Sequence, residues 1–97
     1  MREKVIEQKL VKAVRAKGGI APKFVPPGFS EVPDRLILLP DGKCGFVEVK
    51  APGGKPRPLQ ESRIRLLRRL GFLVFILDDE SQIPHILSEI GGDSGGV

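Results

Sequence analysis

Residues 35–50 read RLILLPDGKCGFVEVK. Arg35 to Leu39 is an apolar run of strand length. Pro40-Asp41-Gly42-Lys43 follows as a turn, because an Asp-Gly pair tolerates the backbone angles of a tight hairpin. Gly45 to Lys50 returns as the second strand, so the stretch predicts an antiparallel hairpin. Strand side chains alternate, which puts Phe46, Glu48 and Lys50 on one face and Val47 and Val49 on the other. Asp34, at the mouth of the first strand, is near enough to join Glu48 and Lys50. The neighbours Leu36, Ile37, Leu38, Val47 and Val49 are apolar, so these charges belong to an otherwise buried hairpin.

Upstream, residues 3–17 predict a helix. Ile6, Leu10, Ala13 and Val14 form one apolar stripe, with Lys4, Gln8, Lys12 and Arg15 on the other side. Gly18-Gly19 ends it. Glu3 and Glu7 stand one turn apart at the edge of that stripe, where a carboxylate is half-buried or points at something. Ile20 to Val25 predicts a short strand. Pro26-Pro27-Gly28 breaks it and opens an exposed loop over residues 26–33.

Downstream, Ala51 to Pro58 is a Pro- and Gly-rich loop. A second helix runs from Pro58 to Leu70, with Leu59, Leu66, Leu67 and Leu70 as its apolar side and Arg63 in the same arc. Phe72 to Leu77, apolar throughout, predicts a central strand covered on both faces. A strand, a helix and a strand in succession imply a right-handed crossover and parallel pairing. Ser81 is placed to cap a last helix, Gln82 to Ile90. The expectation is an α/β fold of order α-β-β-β-α-β-α, with a mixed sheet flanked by helices. Residues 1–90 form one domain in this reading, and the Gly-rich residues 91–97 form a flexible tail.

A chain of 97 residues suffices for one small domain with a modest core. No apolar run approaches the ~20 residues of a membrane span, and no signal peptide is expected from the charged start. The single cysteine, Cys44, excludes an internal disulfide and a cysteine-rich zinc site, and a reducing cytoplasm fits. The single His85 excludes multi-histidine metal sites. Residues 78–97 hold five acids and no Lys or Arg, so residues 1–77, with 16 basic and seven acidic residues, carry a net +9. A basic body of this kind is the footprint of a phosphate-backbone binder.

Asp34 and Glu48 with Lys50 beside them suit a hard divalent cation with an open position, such as Mg²⁺ or Mn²⁺. Such an ion removes the cost of burying unpartnered carboxylates. Lys50 can orient a water and stabilise developing negative charge. Glu7 can complete the shell, and Gln60, on the first turn of the second helix, can reach a water or a phosphate. Lys55, Arg57, Arg63, Arg65, Arg68 and Arg69 adjoin this site and are the expected DNA-phosphate contacts. With no Trp or Tyr in the chain, backbone and shape readout is expected rather than base stacking.

The sequence resembles a stand-alone virus-type replication-repair nuclease (VRR-NUC) domain of the PD-(D/E)xK superfamily, of the phage and bacterial type. The resemblance rests on Glu7 followed by Gly18-Gly19, Pro33-Asp34-Arg35, the run Phe46 to Gly53 containing Val47-Glu48-Val49-Lys50, Leu59-Gln60 and Leu70-Gly71, and it covers residues 3–77. It implies a restriction-endonuclease-like core and Mg²⁺-dependent DNA phosphodiester cleavage. By resemblance, Asp34, Glu48 and the main-chain carbonyl of Val49 are metal ligands. Lys50 is the catalytic lysine, Gln60 the motif glutamine and Glu7 the helix acid, with Glu3 as its rival. The spacing from Glu7 to Gly18 also resembles that of archaeal Holliday-junction resolvases.

The resulting expectation is a structure-selective endonuclease that cuts four-way DNA junctions as a homodimer and leaves a 5′-phosphate and a 3′-hydroxyl. The Pro26–Val32 loop and the Arg63 side of the second helix are candidates for meeting the partner copy or DNA. Rival readings are a nuclease for flaps, nicked duplex or DNA ends, a catalytically silent DNA-binding module, and a small α/β interaction protein. No membrane partner is expected. The expected location is the cytoplasm, that of the host for a phage protein.

Overall fold

The computed structural model describes residues 2–92; the tail residues 93–97 lie outside the described residues. Helix α1 spans Glu3–Ala16 and buries Ile6, Leu10 and Val14, the stripe read from the sequence. The hairpin consists of β1, Arg35–Leu39, and β2, Lys43–Val49, paired antiparallel from Arg35 opposite Val47 to Leu39 opposite Lys43. Asp41 and Gly42 take φ of 67° and 74° in the connection, the left-handed angles that an Asp-Gly turn accepts. Helix α2 is Pro58–Arg69, β3 is Val74–Leu77 and α3 is Ile83–Gly91. Strand β3 pairs parallel with β2, so the sheet has the order β1-β2-β3.

The helices cover both faces. Val47 and Val49 of β2 join Ile37, Leu39 and Leu77 in one cluster with the buried side chains of α1 and with Ile83, Ile86, Leu87 and Ile90 of α3. On the other face, Phe46 and Val74 pack with Ile64 and Leu67 of α2, flanked by Phe24 and Leu36. Alternation in β2 therefore sends its valines to α1 and α3 and its Phe46–Glu48 face to α2. Gly45 completes the fit, since a Cβ there would stand 2.9 Å from Ile90 of α3.

Five details differ from the sequence reading. Residues 20–24 run antiparallel along the outer edge of β1 but do not form a continuous strand. Ile20 exchanges backbone hydrogen bonds with Leu38, and Phe24 N donates to Asp34 O. Between them Pro22 accepts from Leu36 N and has no N–H to return, which breaks the ladder. Strand β3 is an edge, not a centre, among the described residues, and β2 is central. Phe72 lies outside β3, in the turn that closes α2, where its N–H bonds Leu67 O after Gly71 at φ 99°, and its ring meets Phe46 edge-on at 5.7 Å. The buried stripe of α2 is Gln60, Ile64 and Leu67, whereas Leu59 and Leu70 are exposed. The stripe is set by a polar side chain, Gln60, which a hydropathy reading assigns to solvent. Finally, Asp79 rather than Ser81 caps the last helical entry: its side chain accepts from Ser81 N across a short 3₁₀ turn, Glu80–Gln82, that precedes α3.

Candidate active site

Asp34 directly precedes β1, and the hairpin register carries it opposite Glu48. Its Oδ2 accepts from the backbone N–H of Val49 at 2.8 Å. That bond fixes the carboxylate against the end of β2, beside the residue whose carbonyl is the expected third ligand.

Glu48 is only 1% exposed. Its Oε2 accepts from Gln60 Nε2 at 3.0 Å and pairs with Lys50 Nζ at 3.0 Å. Its Oε1 is buried and has no hydrogen-bond partner. Lys50 Nζ also donates to Gln60 Oε1 at 2.8 Å, and the same oxygen accepts from Arg57 N at 2.9 Å. Gln60 thus closes the start of α2, as a capping residue at this position does, and holds Glu48 and Lys50 at once. Its amide is occupied by protein groups, so it positions the charged pair.

Burial pushes the Glu48 carboxyl above its ordinary range, and the nearby Asp34 adds to this against the opposing effect of Lys50. Burial likewise pushes Asp34 up; the Val49 N–H opposes it, and Glu7 reinforces it. Two neighbouring carboxylates that are costly to ionise, one with an orphaned oxygen, make a hard-oxygen donor set that fits a divalent cation. Among the described residues no group of three or more His, Cys, Asp or Glu side chains gathers to hold a metal. The chain would supply two carboxylates and a main-chain carbonyl, leaving positions for water or phosphate.

The helix acids act from the side. Glu7 Oε2 accepts from Arg35 Nε at 2.8 Å, and Arg35 Nη1 donates to Ala21 O at 2.8 Å. Glu7 is close enough to Asp34 to raise it, and Glu3 acts in the same sense on Glu48. The structure therefore brings Asp34, Glu48, Val49, Lys50 and Gln60 together, with Glu7 spent on Arg35. Arg35 has no assigned role in the sequence, but it shares a strand face with Ile37 and Leu39, and a guanidinium on an apolar face signals a half-buried partner, here Glu7.

The basic run on α2 divides. Arg57 pairs with Glu31, which sits at φ 62° in the loop before β1. Arg63 Nε donates to Ser30 O at 2.9 Å, and its guanidinium lies 4.4 Å from the Phe29 ring centre. Arg68 Nη2 donates to Val74 O at 2.7 Å. These three fasten α2 to the protein itself, while Lys55, Arg65 and Arg69 are exposed.

No protein-family model matches the sequence. Over 80 residues, 82% of this chain and 86% of the relative, the sequence is 54% identical to a protein named "Putative nuclease p44" of Acyrthosiphon pisum secondary endosymbiont phage 1. A solved VRR-NUC domain superposes with a TM-score of 0.83 at 29% identity, covering 91% of this chain and 97% of that one. The chain belongs to the VRR-NUC nuclease family. Its three-stranded mixed sheet between helices is the VRR-NUC fold, of the restriction-endonuclease-like kind expected from the sequence. Membership bears out the resemblance carried by Pro33-Asp34-Arg35 and Val47-Glu48-Val49-Lys50. No helix among the described residues is long and apolar enough to cross a membrane.

Proposed function

We propose that this VRR-NUC protein is a divalent-metal-dependent DNA endonuclease whose active site is Asp34, Glu48, Lys50 and Gln60. The observation that carries the reading is the orphaned Glu48 Oε1, fully buried beside Asp34 and Lys50. Asp34, Glu48 and the Val49 carbonyl would hold the ion, for which Mg²⁺ is the natural choice and Mn²⁺ a substitute. When bound, it supplies a Lewis acid that polarises the scissile phosphoryl group.

Lys50 carries the remaining charge chemistry. Its ammonium, held by Glu48 and Gln60, is aimed by two fixed partners and orients the attacking water. It also stabilises negative charge that develops on the phosphoryl oxygens. Water adds to phosphorus, the bond to the 3′ oxygen breaks, and that oxygen leaves with a proton as the 3′-hydroxyl. The other product carries the 5′-phosphate. Glu7 and Arg35 keep the entrance to Asp34 in one arrangement.

The preferred substrate in this reading is branched DNA, a four-way junction cut by a homodimer whose two-fold axis presents two sites to two symmetric strands. The nuclease domain covers residues 1–90 and acts in the cytoplasm of a bacterial host. The resemblance to junction resolvases and the basic body of the chain support this; flaps, nicked duplex and DNA ends are the alternative targets.

The test is an end-labelled panel of four-way junction, flap, nicked duplex, plain duplex and single strand, incubated with Mg²⁺, Mn²⁺ or EDTA. Paired symmetric cuts in the junction, absent in EDTA, are the expected result. Cleavage confined to flaps or ends keeps the site and discards the junction. DNA binding with no cleavage of any substrate makes the protein a binding module.

A further inference from the structure

We propose that the groove between α1 and the residue 20–24 segment grips the phosphate backbone of a DNA arm that extends from the Asp34–Glu48 site. The inference rests on the nuclease reading above and adds a surface that the reading does not use. The groove measures about 620 Å³, and its walls carry Lys4, Lys12, Arg15, Lys23 and Arg35 against one acid, Glu7. That acid is already neutralised, since it accepts from Arg35 at 2.8 Å. Among the described residues, Lys4, Lys12, Arg15 and Lys23 make no ion pair and no side-chain hydrogen bond. Their charge is therefore directed at solvent or at a ligand.

Spacing fits a polyanion with a regular repeat. Lys4, Lys12 and Arg15 stand at i, i+8 and i+11 on α1, one helical face. The distance from Lys4 to Arg15 along the axis is about 16 Å at ~1.5 Å per residue, and one DNA strand rises ~3.4 Å per nucleotide, so the row matches about five nucleotides. The groove also starts in the right place. Arg35 projects from the α1 side of the sheet, yet its charge and that of Glu7 reach Asp34, and with Nε on Glu7 and Nη1 on Ala21 its Nη2 has no protein acceptor among the described residues. A strand that puts one phosphate at Asp34 reaches the α1 row by passing round the Asp34 end of β1, with this guanidinium on the way. By contrast, half of the basic run on α2 is consumed by Glu31, Ser30 and Val74. Among the described residues the groove thus gathers four unpaired cations, Lys4, Lys12, Arg15 and Lys23, against three left on the second run, Lys55, Arg65 and Arg69.

The experiment is a fluorescence-anisotropy titration of the full chain with a labelled 30-base-pair DNA duplex in EDTA, across a salt series. In EDTA no cleavage disturbs the binding. Lys12→Ala with Arg15→Ala removes two phosphate contacts, so the slope of log affinity against log salt falls by about two, and affinity near 0.1 M salt falls about tenfold. Lys4→Ala with Lys23→Ala gives a loss in the same direction from the other rim, and Lys12→Arg retains parental binding. All four substituted side chains are exposed, and an unchanged thermal midpoint certifies the fold of each variant. A slope unchanged in both double variants overturns the groove. If the parent still cleaves with Mg²⁺ in that case, the groove falls alone and the nuclease reading stands. Slope loss without any cleavage keeps the groove and sinks the nuclease reading. A parent that neither binds nor cuts DNA sinks both.

Discussion

The side-chain amide of Gln60 donates to Glu48 Oε2 at 3.0 Å. Its other end accepts from Lys50 Nζ and from the backbone N–H of Arg57, the residue that caps the start of α2. One neutral amide therefore ties an acid, a base and a helix start together, and its orientation is fixed because reversing it would oppose donors to donors.

Gln60→Ala should lower thermal stability by about 1–3 kcal/mol, the cost of leaving buried polar groups unpaired. It should also weaken metal binding about 10- to 100-fold, as loss of an outer partner of a ligand does. Isothermal titration with Mn²⁺ checks the second effect, which a purely structural role would leave unmoved. Gln60→Glu, of nearly the same shape, sets a second carboxylate against Glu48. The acid limb of the pH–rate profile should then move to higher pH.

Lys50→Ala should cut the rate of DNA cleavage at least about 100-fold while duplex affinity stays within about twofold. Single-turnover cleavage and anisotropy on the same preparation give both values. Cleavage at the parental rate removes Lys50 from the chemistry.

Glu48→Gln should change how stability depends on pH in metal-free protein. The folded state raises the Glu48 carboxyl above its ordinary 4.5, so the folded state binds the proton more tightly than the unfolded one. Its contribution is full below the unfolded value and is lost as pH rises through the folded value. The parent should therefore lose stability relative to Glu48→Gln as pH climbs from about 4.5. Thermal melts in EDTA across pH 4–8 measure the gap. A gap that narrows with rising pH refutes the assignment.

Divalent metal should reverse that loss. At an ion concentration about 100 times its dissociation constant, binding to the native state adds about 2.7 kcal/mol. Melts with and without Mg²⁺ or Mn²⁺ should show this gain in the parent and not in Asp34→Asn or Glu48→Gln. Asn at position 34 can still accept from Val49 N, so Asp34→Asn tests the charge rather than the hydrogen bond.

Arg63→Ala should loosen the loop before β1 and leave the salt dependence of DNA binding unchanged. The residue contributes one charged hydrogen bond to Ser30 O and a contact over Phe29, together about 1–3 kcal/mol. Hydrogen exchange should rise in residues 26–33. A slope that drops by about one instead gives Arg63 to DNA.

The elements built on simple periodicity were legible. The α1 stripe and the Arg35–Leu39 strand match their predicted positions, and the Asp41-Gly42 turn takes its expected angles. Alternation along β2 also placed Glu48 and Lys50 on one face, where they meet. What escaped the reading depends on partners distant in sequence. Burial of Gln60 follows from bonds to Glu48 and Lys50, not from its own polarity. The division of the arginines on α2 depends on where the Phe29–Glu31 loop lies, which no spacing rule encodes. An apolar run such as Phe72 to Leu77 carries no mark that separates a central strand from an edge. There the backbone pairing decides, and it leaves Ile76 partly exposed.

The 20–24 segment makes the two borders of the sheet unequal. It lies along β1 and hides that border, and because the donor missing at Pro22 faces β1, the cover is held by the bonds at Ile20 and Phe24 on either side of it. Among the described residues the far border of β3 has no such cover. The backbone groups of β1 are thus already partly paired, and the unpaired strand border of the sheet is that of β3.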